Sequence, residues 1–226
     1  MDATVEEQVS EKKFRTPVDA LIFAFHYSMQ QQGRPLSDRL SAPSGRTGNG
    51  LSGNDGAAQA GMIWRELQDV SPLERAVLVA RYAPKSIPCT CANPCCSGYK
   101  PNPTWNNAIR DLEQHALTLL AGRLSLYRLR RGLVEKAIGV KRQISELAKE
   151  CEVDEKTAAA HWKIIKEWIS GRPAIHRSAQ GGRVKTEFAN IDMSDGDESL
   201  QAEDGLLSMA RKNADNLLSG LSFIGN

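Results

Sequence analysis

Helix-start signals recur along this 226-residue chain, and no segment alternates apolar and polar residues over a convincing length. A helix is indicated where Ser or Thr precedes proline, since the first residue caps the helix and the proline suits its first turn. Thr16 and Pro17 form such a pair. Ser71, Pro72 and Glu74 form another and match a capping box. The fold is therefore predicted to be mainly α.

Composition divides the chain into five consecutive parts. Thr104 is expected to cap a long helix, and Gly122 and Gly132 to bend or break it. The acidic end is expected either to be disordered or to fold against a protein partner. The parts are a flexible N-terminus at 1–15, a helical region at 16–87 with a Gly-rich loop at 33–56, a Cys-rich loop at 88–103, a long helix plus a helix-turn-helix at 104–170, and a linker with an acidic tail at 171–226.

The formal net charge of +2 conceals a basic middle and an acidic end. Residues 1–120 carry 12 Lys/Arg and 12 Asp/Glu, residues 121–187 carry 15 and 8, and residues 188–226 carry 2 and 7. A basic block followed by an acidic extension favours a polyanion-binding segment, although a chance excess of solvated Lys and Arg would give the same counts.

Residues 143–169, QISELAKECEVDEKTAAAHWKIIKEWI, have the pattern of two helices joined by a tight turn. Asp154 can cap the second helix, and Glu152 stands where such turns usually have Gly, so its left-handed conformation would cost about 1 kcal/mol. The pattern resembles the DNA-binding helix-turn-helix, whose second helix enters the major groove, but an ordinary helical hairpin is the alternative. The expected inward positions are Ile144, Leu147, Ala148 and Cys151 in the first helix and Ala158, Ile165 and Ile169 in the second.

A recognition helix in this place would present its early turns to DNA. Lys156 and Thr157 are then expected to reach base edges or phosphates, whereas Lys163 and Lys166 neutralise phosphates. The candidate DNA-binding residues of this helix are Glu155, Lys156, Thr157, Ala159, Ala160, Lys163 and Lys166.

An arginine-rich stretch lies just upstream of the helix pair. Its Arg128, Arg130 and Arg131 are further candidates for phosphate contacts, with the coating of a helix as the equal alternative. His161 and Trp162 are expected to pack rather than to contact DNA.

Four of the five cysteines lie within eight consecutive residues, at Cys89, Cys91, Cys95 and Cys96. Thiolates suit the tetrahedral coordination of Zn²⁺, so the four are candidate ligands of one structural zinc ion. Their spacing is unusually tight: structural zinc sites usually separate the two ligand pairs by roughly a dozen residues or more. The alternatives are thiols without a metal, or a site completed by His115 with one cysteine left out. Disulfides are disfavoured in a reducing compartment.

The stretches TPVDALIFAFHYSMQQQGRPL, GLSGNDGAAQAGMIWREL, CCSGYKPNPTW and LSLYRLRRGLVEKAIGV are similar to DNA-binding proteins encoded by phages and prophages of Gram-negative bacteria. Within residues 14–170 the chain resembles the Q-type late-gene antiterminators, which include regulators of lysis cassettes. The resemblance implies a protein that binds double-stranded DNA near a promoter and engages RNA polymerase paused just downstream with its sigma factor. It then travels with the enzyme, so that terminator hairpins cannot form. The alternative function is a conventional helix-turn-helix repressor or activator that binds an operator.

The sequence does not indicate an enzyme, because it has no clustered carboxylates, no recombinase constellation and no open metal site beside a general base. It has no apolar run of about 18 residues and no secretory signal at the N-terminus. We therefore expect no membrane association and a cytoplasmic location in a bacterial host cell.

Overall fold

The computed structural model describes residues 13–31, 53–89, 91, 97–120, 126–172 and 203–225. These ranges are mainly helical, as predicted, and their four strands have only two or three residues each. None of the described helices is both long enough and apolar enough to cross a bilayer. The helices are α1 (Pro17–Gln31), α2 (Gly53–Glu66), α3 (Pro72–Tyr82), α4 (Pro103–Leu119), α5 (Tyr127–Ala137), α6 (Ile144–Glu150), α7 (Glu155–Ser170) and α8 (Leu206–Leu218). The strands are β1 (Ser86–Pro88), β2 (Tyr99–Pro101), β3 (Gly171–Arg172) and β4 (Glu203–Asp204), paired antiparallel as β1 with β2 and β3 with β4.

Two helix starts have the hydrogen bonds that the sequence predicts. At α1, the Asp19 amide donates to Thr16 Oγ1 at 3.2 Å. At α3, the Glu74 amide donates to Ser71 Oγ at 3.3 Å, and the Ser71 amide donates to Glu74 Oε2 at 3.2 Å. The capping box is therefore complete.

The start of α4 differs from the prediction. Asn102, not Thr104, is the N-cap, and its Oδ1 accepts the Thr104 amide at 2.9 Å. Pro103 takes the first helical position, which moves the cap to the residue before it. The Asn102 Nδ2 also donates to the Pro84 carbonyl at 2.6 Å, so this cap ties the end of α3 to the start of α4.

The helix predicted from residue 104 onward is two helices, α4 and α5, separated by a segment that contains Gly122, where a bend or break was expected and which lies outside the described residues. The first ends with Leu120 as its C-cap, and the second begins at Tyr127. Gly132 lies inside α5 without breaking it. The two helices pack against each other, and a buried ion pair between Glu113 and Arg130 joins them.

Buried apolar side chains from all eight helices belong to one hydrophobic cluster. Leu78 of α3, Leu133 of α5 and Ile165 of α7 are examples that are completely inaccessible to solvent. The predicted helical region and the predicted DNA-binding region therefore share one core.

The acidic end of the chain contributes to that core, which corrects the expectation for residues 206–224 of the tail. Helix α8 packs against α3, α7, α1 and α2. Asn213 Nδ2 of α8 donates to Glu74 Oε1 of α3 at 2.6 Å. These residues are neither disordered nor in need of a protein partner, because other helices of the same chain already cover their apolar side chains. The inward positions are Leu206, Ala210, Ala214, Leu218, Phe223 and Ile224.

The two ends of the described chain meet on this side of the core. Phe14 and Ile224 form a parallel β-bridge, and the Gly225 amide donates to the Phe14 carbonyl at 2.7 Å. Phe14 is fully buried, so the flexible N-terminus predicted for 1–15 does not extend to this residue.

Candidate nucleic-acid interface

Helices α5, α6 and α7 pack pairwise into a three-helix unit. Gly132 permits the close approach of α5 and α6, because a Cβ placed there would lie 2.5 Å from Leu147 Cδ2. Leu147 and Ala148 of α6 are buried, as are Ala158, Ile165 and Ile169 of α7.

All of these buried residues were predicted to point inward. The prediction of the inward face is therefore confirmed at these positions of both helices. The other two predicted inward residues, Ile144 and Cys151, are partly buried against the same core.

The turn between α6 and α7 is a Schellman motif. The Val153 amide donates to the Ala148 carbonyl at 2.9 Å, and the Glu152 amide donates to the Lys149 carbonyl at 3.2 Å. Glu152 has a φ of 55°, the left-handed conformation expected for it, in the position that glycine favours. The turn therefore connects α6 to α7 through Glu152, a non-glycine residue in a strained conformation.

Asp154 caps α7 as predicted. Its Oδ2 accepts the Thr157 amide at 3.1 Å, which fixes the first turn of the helix. The seven candidate residues of α7 are all solvent-exposed: Glu155, Lys156, Thr157, Ala159, Ala160, Lys163 and Lys166.

Aromatic side chains hold both flanks of α7 against neighbouring helices. On one flank, Lys136 Nζ of α5 lies 5.3 Å from the centre of the Trp162 ring, within the range of a cation–π interaction. On the other flank, Trp168 stacks on His115 of α4 with ring centres 5.2 Å apart. His161 is half-buried, and its Nδ1 has no hydrogen-bond partner among the described residues. These contacts leave the lysine-bearing face of α7 uncovered by the described chain.

The three candidate arginines of α5 lie in different environments. Arg128 is exposed. Arg131 is half-buried and donates to Glu135 Oε1 at 2.9 Å and Asn106 Oδ1 at 2.7 Å. Arg130 is only 5% exposed and pairs with Glu113, so the expectation that it contacts DNA is corrected. Its charge is already neutralised inside the protein.

Arg142, which was not among the sequence candidates, is exposed beside α6. The adjacent basic pair Lys141–Arg142, immediately before α6, is the sequence signal that marks it. Arg142 and Arg128 are both close enough to Cys151 to act electrostatically on its thiol. Burial and the Glu150 carboxylate nevertheless raise the pKa of this thiol, so it stays protonated at neutral pH.

The cysteine-rich segment lies between β1 and β2. The Cys89 amide donates to the Gly98 carbonyl at 2.8 Å, which extends the hairpin by one bond. Cys89 is half-buried and Cys91 is exposed. Cys95 and Cys96 lie outside the described residues, and within the described ranges no three His, Cys, Asp or Glu side chains cluster as a metal site would require. The four-thiolate zinc site therefore stays a prediction.

Comparison with protein-family models, with curated proteins and with solved structures gives no match for this chain.

Proposed function

We propose that α6, its turn and α7 form a DNA-binding helix-turn-helix, with α7 as the helix that enters the major groove. The observation that carries the proposal is the division of α7 into two faces. Ala158, Ile165 and Ile169 are fully buried, while Lys156 and Lys163 lie on the exposed face. A helix held by its apolar face, with exposed cations on the opposite one, has the shape and charge that a DNA groove requires.

The small residues of the exposed face support this proposal. Ala159 and Ala160 lie between Lys156 and Lys163 and add little bulk, so the backbone of α7 can approach a duplex closely. Thr157 is positioned by the cap and presents a hydroxyl that can bind a base edge or a phosphate. Around the helix, residues 127–172 carry 11 Lys/Arg and 7 Asp/Glu, a net charge of +4 that attracts a polyanion.

Duplex binding by lysine variants tests the interface. The probe is a duplex selected from a random pool by the wild-type protein, and its affinity is measured by fluorescence anisotropy over a series of salt concentrations. We expect Lys156→Ala and Lys163→Ala each to weaken binding and to reduce the magnitude of the salt slope by about one phosphate contact. Lys100→Ala, which removes an exposed lysine from β2, is the matched control. If the α7 variants bind like this control, α7 does not contact DNA.

We further propose that the DNA-bound protein acts on transcription as an antitermination factor of late or lysis genes, with RNA polymerase and its sigma factor as partners. The support for this step is the resemblance of the sequence to Q-type antiterminators. A cytoplasmic location in a bacterial host cell, with no catalytic role, belongs to the same proposal.

A read-through assay separates antitermination from conventional regulation. Purified bacterial polymerase and sigma factor transcribe a template with the selected duplex upstream of a promoter-proximal pause and a terminator. We expect the protein to increase transcription past the terminator only when the pause is present. Unchanged termination at saturating protein contradicts antitermination. In that case, protection of the DNA site without polymerase identifies an operator-binding repressor or activator.

We propose that Cys89, Cys91, Cys95 and Cys96 hold one structural Zn²⁺. The support is the soft donor set, together with a hairpin that brings the ends of the cysteine segment together. Bound zinc would cross-link the segment between β1 and β2. Elemental analysis of protein purified without chelators is expected to find about one zinc per chain, and a Cys95→Ser/Cys96→Ser variant is expected to lose it. Metal-free protein with wild-type stability contradicts a structural role.

A further inference from the structure

A cleft of about 420 Å³ opens between α5, α6 and the turn that leads into α7. Arg128 and Arg131 reach it from α5, and Arg142 reaches it from the segment before α6. Three arginines that line one concave site are typical of sites for phosphate or carboxylate ligands, because each guanidinium group offers several fixed donors. The volume lies within the range of small-molecule sites.

Two of the three arginines have hydrogen-bonding capacity left for a ligand. Arg142 lies 3.9 Å from Glu135 Oε2 and 3.8 Å from Glu150 Oε2, too far for direct hydrogen bonds. Arg128 has no ion pair with any other residue in the described part of the chain. Since three arginines and only two carboxylates, Glu135 and Glu150, line the cleft, its side chains carry a net charge of +1.

Arg131 positions Tyr127, whose hydroxyl group is a further donor in the cleft. Its Nη1 donates to the Tyr127 hydroxyl oxygen at 2.9 Å, and its Nε donates to Glu135 Oε1 at 2.9 Å. Because the tyrosine oxygen is the acceptor in this bond, the hydroxyl hydrogen of Tyr127 is free to point toward a ligand. The donors available in the cleft are therefore Arg128, Arg142 and the Tyr127 hydroxyl.

We propose that this cleft binds a phosphate group, held by Arg128 and Arg142 and oriented by Tyr127. The group belongs either to a small phosphorylated molecule or to a nucleic-acid backbone, since both present the same oxygens. The inference goes beyond the proposed recognition helix, because the cleft uses none of the α7 lysines and can bind phosphate whether or not α7 contacts DNA.

Titration with inorganic phosphate and pyrophosphate tests the site directly. Binding to the full chain is followed by isothermal titration calorimetry and by melting temperature, with chloride added to keep the ionic strength constant. We expect Arg142→Ala and Arg128→Ala each to weaken binding about tenfold or more, because each removes a charge-assisted hydrogen bond. Arg110→Ala, which removes an exposed arginine of α4 outside the cleft, is expected to bind like the wild type.

The same variants distinguish the two sources of phosphate. A backbone site predicts that Arg142→Ala and Arg128→Ala also weaken duplex binding and reduce its salt slope by about one contact each. A site for a small molecule predicts unchanged duplex affinity with the loss of pyrophosphate binding. The proposal is overturned if both variants match Arg110→Ala in phosphate, pyrophosphate and duplex binding. Arg128 is exposed, so Arg128→Ala keeps the test valid even if Arg142→Ala fails to fold.

Discussion

Arg130 and Glu113 show how a single buried contact decides what an arginine can do. Their side chains are only 6% and 3% exposed, so both charges have left bulk water, and each stabilises the other. The neighbouring Arg128 remains exposed to solvent. Three arginines within four positions of one helix thus have different roles, set by the direction in which each leaves the helix.

Breaking this ion pair is expected to destabilise the whole protein. Glu113→Gln leaves a buried guanidinium without its counter-charge and should lower the free energy of unfolding by about 3–5 kcal/mol. Urea denaturation measures the change, and Asp111→Asn, an exposed carboxylate on the same helix, is the control. Adding Arg130→Met to Glu113→Gln is expected to restore part of the loss. Equal stability of Glu113→Gln and the control would contradict the role of the pair.

Glu152 offers a second test at the level of one residue. Its left-handed backbone conformation is unfavourable for a residue with a Cβ. None of the described hydrogen bonds involves the Glu152 side chain, so no such bond offsets this strain. Glu152→Gly is expected to raise the free energy of unfolding by up to about 1 kcal/mol, whereas Glu152→Val should lower it. Chemical denaturation compares the three proteins. A glycine variant less stable than the wild type would show that the turn is not strained.

The start of α7 links the stability of an element to its proposed role. Asp154→Ala removes the cap of this helix, so we expect the free energy of unfolding to fall by about 1 kcal/mol. Fraying of the first turn should also displace Lys156 and Thr157, which weakens duplex binding and reduces the magnitude of the salt slope by up to about one phosphate contact. Asp154→Asn retains a capping oxygen and is the control. Duplex affinity and salt slope of Asp154→Ala equal to those of Asp154→Asn would contradict this explanation.

Helix starts and buried faces were predictable where neighbouring residues determine them. The caps Ser71 and Asp154 and the inward face of α7 follow from local spacing alone. The cap of α4 was misplaced by two residues, because Thr104 resembles a cap until Pro103 is assigned to the first helical position. The interruption between α4 and α5 brackets Gly122, where the sequence already indicated a bend or break, but the exact bounds of the two helices do not follow from one glycine.

At the scale of the whole molecule, α8 closes a core to which every described helix contributes. Its inward residues Leu206, Ala210, Ala214 and Leu218 recur every fourth position. That spacing is the signal that could have revealed the helix in the sequence. The acidic composition of residues 188–226 concealed it. In addition, two of its inward residues are alanines, whose apolar pattern is weak. The role of Arg130 could not be predicted from local spacing, because its partner Glu113 lies on another helix.

We expect loss of α8 packing to destabilise the entire described core. Leu218 is fully buried, so Leu218→Ala should lower the free energy of unfolding by about 2–5 kcal/mol. Hydrogen exchange is expected to show faster exchange of amides in α3 and α7 as well as in α8, because one core stabilises all three. Asn216→Ala, an exposed position of α8, is the control. Faster exchange confined to α8 would indicate a helix that unfolds independently.

The bridge between Phe14 and Ile224 has a consequence for rearranging the order of the chain. A short peptide linker could join these two points, because they are already neighbours in space. New termini could then be opened between Arg172 and Glu203, which pair with each other in the β3–β4 ladder. Such a circular permutant would carry β4 and α8 ahead of α1, and we expect it to form the same hydrophobic core. A folded permutant would show that the order in which the helices are synthesised does not determine the architecture that they build.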